Sequence, residues 1–420
     1  MIDIEDKLTI FKRKIKDLNV IFLKRTGLNS SIALITIKYG SVYRKDSLYN
    51  NNIPDGTAHF LEHRLFDLNG KDLNKMFSEL GADSNAFTSN KTTNYYFITT
   101  ENFFSNLSIL LDLTYSHRTF DKKKIEKEKK IIQNEITMHD DDPYTKGYYK
   151  LLDSMYWFNP AKIKVIGSLE SISKIDHKIL KKTHESFYNF NNSFLIICSD
   201  IDENDLFDFL SKNLEKYNYN TPKQNKELLF QEPIYPKNRF KREFCRVTRD
   251  LLFLGFKFRK TNLSLKEIIM IDLILDVLFG SMSEFSDYIY SQMLIDDTFN
   301  YSFNWEENSN SVIMSGFTAD YQKLYDEIIK EIKLRVDNGI SNEELDIIKK
   351  NYIGGIYSAI DKPGELAMEI STLTLIGDYM LDDYLNNLND ISIDELNNFI
   401  PVILPVNNTS IVVVSPFQDI

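Results

Sequence analysis

Two histidines and a glutamate stand close together in the stretch PDGTAHFLEHRLFD, residues 54–67, of a chain with only six histidines. The turn-forming run PDGT predicts that a helix begins there. On a helix, residues four positions apart lie on the same face, so His59 and His63 project together. Glu62 directly precedes the second histidine and lies close to that face.

These three side chains have the chemistry of a catalytic zinc site. Zn²⁺ accepts neutral imidazole nitrogens, and a catalytic site takes three protein ligands and leaves a position open for water. The two histidines supply two ligands, and Glu62 can accept a proton from the attacking water. Ordinary surface or core histidines are the alternative, but the order His-x-x-Glu-His is that of the inverted zincins. The motif therefore predicts a metal site that needs a third ligand elsewhere.

The motif and the segments after it resemble peptidase family M16, the group of pitrilysin, insulin-degrading enzyme and the mitochondrial processing peptidase. That family takes its third ligand, a glutamate, from a second helix, and IEKEKKIIQNEITMHDDDP matches that helix. The resemblance implies Glu135, 72 residues after His63, as the third ligand. It implies Glu128, two helical turns earlier, as a catalytic-site carboxylate that holds a ligand histidine. One Zn²⁺ per chain, bound by His59, His63 and Glu135, is thus expected; a solvated face among lysines is the alternative for both glutamates.

A second segment, LGADSNAFTSNKTTNYYF at residues 80–97, resembles the substrate-binding edge strand of the family. Its Gly-x-x-x-Asn-Ala-x-Thr pattern is matched by Gly81, Asn85, Ala86 and Thr88. The family uses this strand to bind a peptide as an added β-strand, through main-chain hydrogen bonds. The resemblance implies that Asn85, Ala86 and Thr88 bind substrate, with a featureless edge strand as the alternative.

The second half departs from the family pattern. Many members carry there an arginine and a tyrosine that reach the substrate carbonyl, and residues 278–305 match that segment. Tyr301 fills the tyrosine position as an expected catalytic residue, but the arginine position falls near Tyr290. No arginine occurs between Arg259 and Arg335. The resemblance therefore implies a homologous partner subunit without the zinc motif, in a heterodimer that encloses the peptide; a homodimer is the alternative.

Two other functions fit parts of the pattern. An S-ribosylhomocysteine-lyase-like enzyme also uses His-x-x-Glu-His with a metal, but it is far smaller and needs a cysteine near the metal. Cys198 stands instead in the apolar run FLIICSD. A non-catalytic peptide-binding or assembly subunit normally lacks the zinc motif that this chain keeps. The predicted function is therefore a zinc-dependent endopeptidase that hydrolyses peptides or small unfolded proteins in a closed chamber.

Composition limits the remaining possibilities. The chain has 420 residues with 43% hydrophobic content, enough for a sizeable core and more than one domain. Its net charge of −11 argues against a nucleic-acid partner, which needs a basic surface. A charged N-terminal sequence and the lack of a long apolar window predict a cytoplasmic protein without a membrane partner. Cys198 is expected in the core, outside any disulfide framework.

Two strand-like segments recur at a regular spacing. NNSFLIICSD begins at Asn191 and NNTSIVVVSP begins at Asn407, 216 positions later. SIALITIKYG and DLLFLGFKF repeat at a similar offset, and both pairs bracket long helical stretches. The pattern predicts an α+β fold of two structurally similar halves, each a mixed or antiparallel sheet with helices packed on one face. We expect a zinc-binding catalytic domain at 1–218, a linker at 219–239 and a homologous domain without a metal site at 240–420.

Overall fold

The structure is a computed structural model that describes residues 8–46, 51–217, 231–305 and 309–417. The chain divides into two compact units, and neither unit is one continuous segment. The first takes in the described residues of Met1–Ile136, Ile163–Glu227 and Ile356–Asp378. The second takes in those of Thr137–Lys162, Leu228–Gly355 and Tyr379–Ile420.

Strands in the described residues form two large sheets and two short hairpins. In chain order they are β1 (Thr9–Ile15), β2 (Leu18–Lys24), β3 (Ser31–Ile37), β4 (Lys45–Asp46), β5 (Asn51–Asn52), β6 (Asp67–Leu68), β7 (Lys71–Asp72), β8 (Ala82–Thr88), β9 (Thr93–Thr99), β10 (Ser193–Ser199), β11 (Phe240–Cys245), β12 (Asp250–Phe258), β13 (Asn300–Asn304), β14 (Asn310–Thr318) and β15 (Thr409–Pro416).

Helices occupy most of the remaining described chain. In order they are α1 (Thr57–Leu65), α2 (Leu73–Glu79), α3 (Phe103–Tyr115), α4 (Lys122–Asp141), α5 (Pro143–Met155), α6 (Leu169–Ser173), α7 (His177–Phe187), α8 (Glu203–Asn213), α9 (Leu265–Phe279), α10 (Glu284–Ser291), α11 (Tyr321–Asn338), α12 (Asn342–Ile360), α13 (Pro363–Gly377), α14 (Leu381–Asp390) and α15 (Ile393–Ile403). Within the described ranges, none of these helices combines the length and the apolar character that a membrane crossing needs.

The first unit is built on a six-stranded sheet of order β1-β2-β10-β3-β9-β8, in which only the β2–β10 pair is parallel. Strand side chains alternate between faces, and one face, with Ile35 and Leu195, belongs to the main core of this unit. Helix α13 packs against β3 and β10. Thr36 of β3 points to the other face of the sheet, where its Oγ1 lies 3.0 Å from Oγ of Ser371 in α13. Cys198 in β10 is fully buried, as predicted.

The second unit is built on a five-stranded sheet of order β11-β15-β12-β14-β13, in which only the β11–β15 pair is parallel. Helix α5 packs against its central strands. A Cβ on Gly147 would lie 2.0 Å from the Phe253 ring, so glycine permits this close approach. Leu152, Phe253 and Val412 form the buried core between helix and sheet.

The two sheets confirm the predicted repeat and the predicted fold class. Strands β10 and β15 begin at Ser193 and Thr409, 216 positions apart, and each pairs with one parallel and one antiparallel neighbour. The sequence did not predict that each sheet also packs against a helix from the other half of the sequence. Helix α5 precedes the first half's last strand yet packs on the second sheet, and α13 comes from the second half yet packs on the first.

The predicted boundaries place each sheet within one half, since β1–β3 and β8–β10 fall in 1–218 and β11–β15 fall in 240–420. The compact units differ from that division by the exchanged segments that contain α5 and α13. Of the predicted linker, residues 219–230 lie outside the described residues, and residues 231–239 contain no helix or strand.

Candidate active site

Helix α1 begins at Thr57, where the motif predicts a helix start. Gly56 precedes it with a left-handed φ of 87°, and a Cβ there would lie 2.5 Å from the Ile166 carbonyl oxygen. Only glycine fits that conformation and that space. The apolar residues of the helix, including Phe60 and Leu61, are fully buried in the core of the first unit.

Helix α4 presents the two carboxylates that the sequence predicts for the site along one stripe. Its buried residues Ile125, Ile132 and Ile136 fix the face that packs on the first unit. Glu128 and Glu135 each follow one of these isoleucines by three positions, so they lie one above the other beside the buried stripe. The helix thereby brings both glutamates to α1.

The structure brings the predicted metal ligands together. Each of His59, His63 and Glu135 offers one ligand atom, and these atoms lie within 4.8 Å of one another. His59 Nε2 lies 3.6 Å from Glu135 Oε1, and His63 Nε2 lies 3.8 Å from Glu135 Oε2. Among the residues that the structure describes, these three form the one group of His, Cys, Asp and Glu able to hold a metal ion.

The donor set fits zinc. Two imidazole nitrogens and a carboxylate oxygen are ligands that zinc prefers, at bond lengths of about 2.0–2.2 Å. Each histidine has its Nε2 within 4 Å of a Glu135 carboxylate oxygen, and one ligand atom from each of the three residues lies within 4.8 Å of the others, close enough for a single ion. Three protein ligands leave the fourth position for water, as catalysis requires.

Glu128 holds the imidazole of His63 in the orientation that a ligand needs. Its Oε1 lies 3.1 Å from His63 Nδ1, so a proton on Nδ1 leaves the Nε2 lone pair for a metal. Burial alone would raise the pKa of Glu128, but hydrogen bonds from His63 and Arg64 hold it below the ordinary value. Burial alone would lower the pKa of His63, and the Glu128 carboxylate raises it overall.

Glu62 lies on α1 beside His59 and His63 but is not part of the group of three that could hold a metal ion. The Thr88 hydroxyl donates to Glu62 Oε2 over 2.5 Å, which ties the α1 carboxylate to strand β8. Burial raises the pKa of Glu62 above the ordinary value, while Thr88 and the His63 imidazole act in the opposite direction. A carboxylate made more basic in this way suits a proton acceptor.

Strand β8 carries the three residues predicted to bind substrate, and it stands at the end of the strand order. Its burial alternates, so Thr88 turns toward α1 while Asn85 and Phe87 lie on the exposed side. The Ala86 N–H donates to the Asn85 side chain over 2.8 Å. The backbone of an end strand can accept a further strand, and this one lies next to Glu62.

Tyr301 belongs to the second unit, where strand β13 carries it. Its hydroxyl donates to Asp276 Oδ1 over 2.7 Å, and the Tyr352 hydroxyl donates to the other oxygen of the same carboxylate over 2.7 Å. Burial and the carboxylates of Asp276 and Asp272 raise the pKa of Tyr301. The contacts account for Tyr301 within its own unit, and its role toward substrate stays a prediction.

Two residues that motif reasoning passed over complete the surroundings of the histidines. Arg64 donates to Glu128 Oε2 over 3.2 Å and to Asp67 Oδ2 over 2.7 Å. Both stand inside the stretch 54–67, Arg64 in the last turn of α1 and Asp67 just beyond the helix, in β6. Their contact with α4 is tertiary, so the local sequence could not indicate it.

The amino-acid sequence matches two family models and several known proteins. Residues 20–168 match the family described as Insulinase (Peptidase family M16), and residues 174–352 match the family described as Peptidase M16 inactive domain. The chain is 31% identical over 401 residues to "Uncharacterized zinc protease YmfH" of Bacillus subtilis (strain 168), covering 93% of each protein.

Solved structures share the whole fold. An M16-like protein from Alicyclobacillus acidocaldarius superposes with a TM-score of 0.92 at 25% identity, covering 97% of this chain and 98% of that one. The periplasmic protease PqqL from Escherichia coli superposes with a TM-score of 0.75 at 18% identity. That match covers 98% of this chain but 48% of PqqL, so the same fold also occurs within a chain of about twice the length.

Proposed function

Because the chain belongs to peptidase family M16, we propose that it is a zinc-dependent endopeptidase. The observation that carries the proposal is the cluster of His59, His63 and Glu135, whose ligand atoms lie within 4.8 Å of one another. Glu62, whose pKa is raised by burial, lies beside this cluster. The relatives named zinc proteases support the same activity. The substrate class is a peptide or small unfolded protein, bound along β8, the last strand in the order of the first sheet.

His59, His63 and Glu135 would hold the zinc ion. When bound, zinc supplies Lewis-acid chemistry that makes water nucleophilic near neutral pH and polarises a peptide carbonyl. Glu128 keeps the His63 proton on Nδ1, and so keeps Nε2 available as a ligand atom.

Glu62 moves the proton. The Thr88 hydroxyl occupies Oε2, so Oε1 accepts a proton from the water whose oxygen attacks the peptide carbonyl carbon. When the C–N bond breaks, the same carboxyl returns that proton to the leaving nitrogen, and the products are a carboxylic acid and an amine. A peptide paired with β8 by main-chain hydrogen bonds is held in one extended register beside Glu62.

Metal analysis combined with a cleavage assay tests this function. We expect the purified chain to contain one zinc ion, and we expect 1,10-phenanthroline to remove it. Cleavage of a quenched peptide, measured with the chain alone and with a homologous partner, should stop when zinc is removed and return when zinc is added back. Cleavage that continues in zinc-free protein would contradict the proposal. Peptide binding with no cleavage under any of these conditions would favour a non-catalytic binding subunit.

We also propose that a homologous chain completes the active site. No arginine occurs between Arg259 and Arg335, so the segment 278–305 lacks the arginine that would contact the substrate carbonyl. No histidine follows His184, so the second half has no second metal motif. The Tyr301 hydroxyl is already engaged by Asp276. The fold of this chain also covers 48% of PqqL, a length that suits pairing of two such chains around a peptide.

This proposal predicts a large difference between the isolated chain and the complex. Loss of one donor to the developing oxyanion typically lowers the rate by about 10²–10³-fold, so the isolated chain should bind zinc yet cleave peptide that much more slowly. The partner to add is a homologous chain that carries the arginine and tyrosine and lacks the histidine motif. Light scattering should then show a one-to-one complex, and the cleavage rate should rise.

The matched control is the same partner with its arginine replaced by alanine, which should assemble without restoring the rate. Full activity of the purified chain alone, as a monomer or a homodimer, would refute the shared site. A homodimer with full activity would assign the missing group to this chain itself.

A further inference from the structure

Arg64 makes two charged contacts directly after the ligand histidine. It follows His63 at the end of α1, and its side chain is only 11% exposed. Nη1 donates to Glu128 Oε2 over 3.2 Å, and Nη2 donates to Asp67 Oδ2 over 2.7 Å.

The two oxygens of Glu128 serve two successive residues of α1. Oε1 meets His63 Nδ1 over 3.1 Å while Oε2 meets Arg64, so one carboxylate spans both side chains. Successive residues on a helix point about 100° apart, which leaves this carboxylate little freedom to turn. Without Arg64, the nearly buried Oε2 would lose this charged donor, and the glutamate side chain could rotate away from His63.

Asp67 keeps the guanidinium in this position. Its carboxylate also receives the Lys124 ammonium and the Gly70 N–H, so its negative charge is well compensated. Lys124 forms its ion pair with Asp67, whereas Arg64 contacts both Asp67 and Glu128. The structure therefore separates a residue that acts on Glu128 from one that only supports the surrounding charge.

We infer that Arg64 is a positioning residue that fixes Glu128 on His63 and thereby increases the affinity of the three-ligand site for zinc. The inference rests on the proposed function, because it takes His63 as a zinc ligand. Arg64 need not touch zinc or substrate; it acts through the Glu128 carboxylate, which sets the orientation and the tautomer of the imidazole. Among the lysines and arginines in the described ranges, Arg64 is the one that forms an ion pair with Glu128.

A double-mutant cycle on zinc affinity tests this inference. The dissociation constant for Zn²⁺ is measured by competition with a chromophoric chelator in unmodified protein, Arg64→Met, Glu128→Gln and the double variant. Each single change should weaken zinc binding by about 10–100-fold, the usual effect of losing a partner of a ligand histidine. The double variant should bind Zn²⁺ about as weakly as the single variant with the lower affinity, because both changes disrupt the same Arg64–Glu128–His63 interaction.

Two further variants separate positioning from general stability. Arg64→Lys keeps a positive charge within reach of Glu128 and should recover part of the affinity, and it replaces Arg64→Met in the cycle if the latter does not fold. Lys124→Met removes a charge from Asp67 alone and should leave zinc affinity unchanged. Thermal unfolding of the zinc-free proteins shows which variants are folded.

The outcomes distinguish the inference from the proposed function. Unchanged affinity in Arg64→Met, or losses that multiply in the double variant, would overturn the positioning role while zinc binding itself stands. Zinc retained in full by His63→Ala would overturn the proposed function and, with it, this inference.

Discussion

Replacement of Glu62 by glutamine is expected to reduce peptide hydrolysis by about 10²–10⁴-fold while zinc stays bound. Glutamine has the size of glutamate and still accepts the hydrogen bond from Thr88, so the local geometry is preserved. The amide cannot take a proton from the attacking water at Oε1, and the reaction loses its general base. The measurement is kcat with a quenched peptide, in the assembled enzyme, beside zinc content from the same preparation.

Thr88→Val gives a graded comparison for this result. It removes the hydroxyl that holds Glu62 and keeps both the carboxylate and the strand. Without this hydrogen bond the Glu62 carboxylate can rotate away from the attacking water, so kcat should fall by roughly tenfold or more, with KM little changed. A rise in KM alone would assign Thr88 to peptide binding, and loss of zinc in Glu62→Gln would make Glu62 a ligand.

The sequence indicated the fold because the repeat is visible in local pattern. Strands β10 and β15 are apolar, β-branched runs that follow paired asparagines, and a central strand buried on both faces requires such a run. The exchange of α5 and α13 could not be predicted in the same way. The apolar stripe of an amphipathic helix predicts that one face is buried, but it does not indicate which of the two sheets that face packs against.

The candidate site shows the same division between local and tertiary signals. The spacing of His59 and His63 places both on one helix face, and the structure sets them side by side, with ring centroids 4.6 Å apart. Glu128 was harder, because lysines surround it in sequence and a solvated face was the ordinary interpretation. Its side chain is only 13% exposed, because His63 and Arg64 meet it from another helix. Contacts of that kind depend on how α1 and α4 pack, which no single segment encodes.

Substitution of His63 by alanine should remove zinc from the protein. The proposed site has three protein ligands, two on α1 and one on α4, and a catalytic zinc typically needs all three. After the change, His59 and Glu135 offer only two ligand atoms. Dialysis against metal-free buffer should therefore leave His63→Ala without zinc, and its assembled form should show no peptide cleavage above background.

The histidines elsewhere in the first unit supply the controls for this experiment. His117 is exposed and lies outside the cluster, so His117→Ala should keep one zinc ion. His184 is fully enclosed, its Nε2 lies 3.0 Å from the Thr114 carbonyl oxygen, and burial lowers the pKa of its imidazole to about 3. It is a neutral structural residue at physiological pH, and His184→Gln, where it folds, should also retain the metal.

Glu135→Gln tests the same site from α4. A neutral amide oxygen is a poor zinc ligand compared with a carboxylate, so this variant should lose zinc as His63→Ala does. Loss in both variants, with retention in His117→Ala, requires one ion shared by α1 and α4. Full zinc occupancy of His63→Ala after dialysis would place the metal elsewhere in the chain. The carboxylate pair at His63 would then be an ordinary ion-pair network between two helices, and the chemistry assigned to Glu62 would lose its metal.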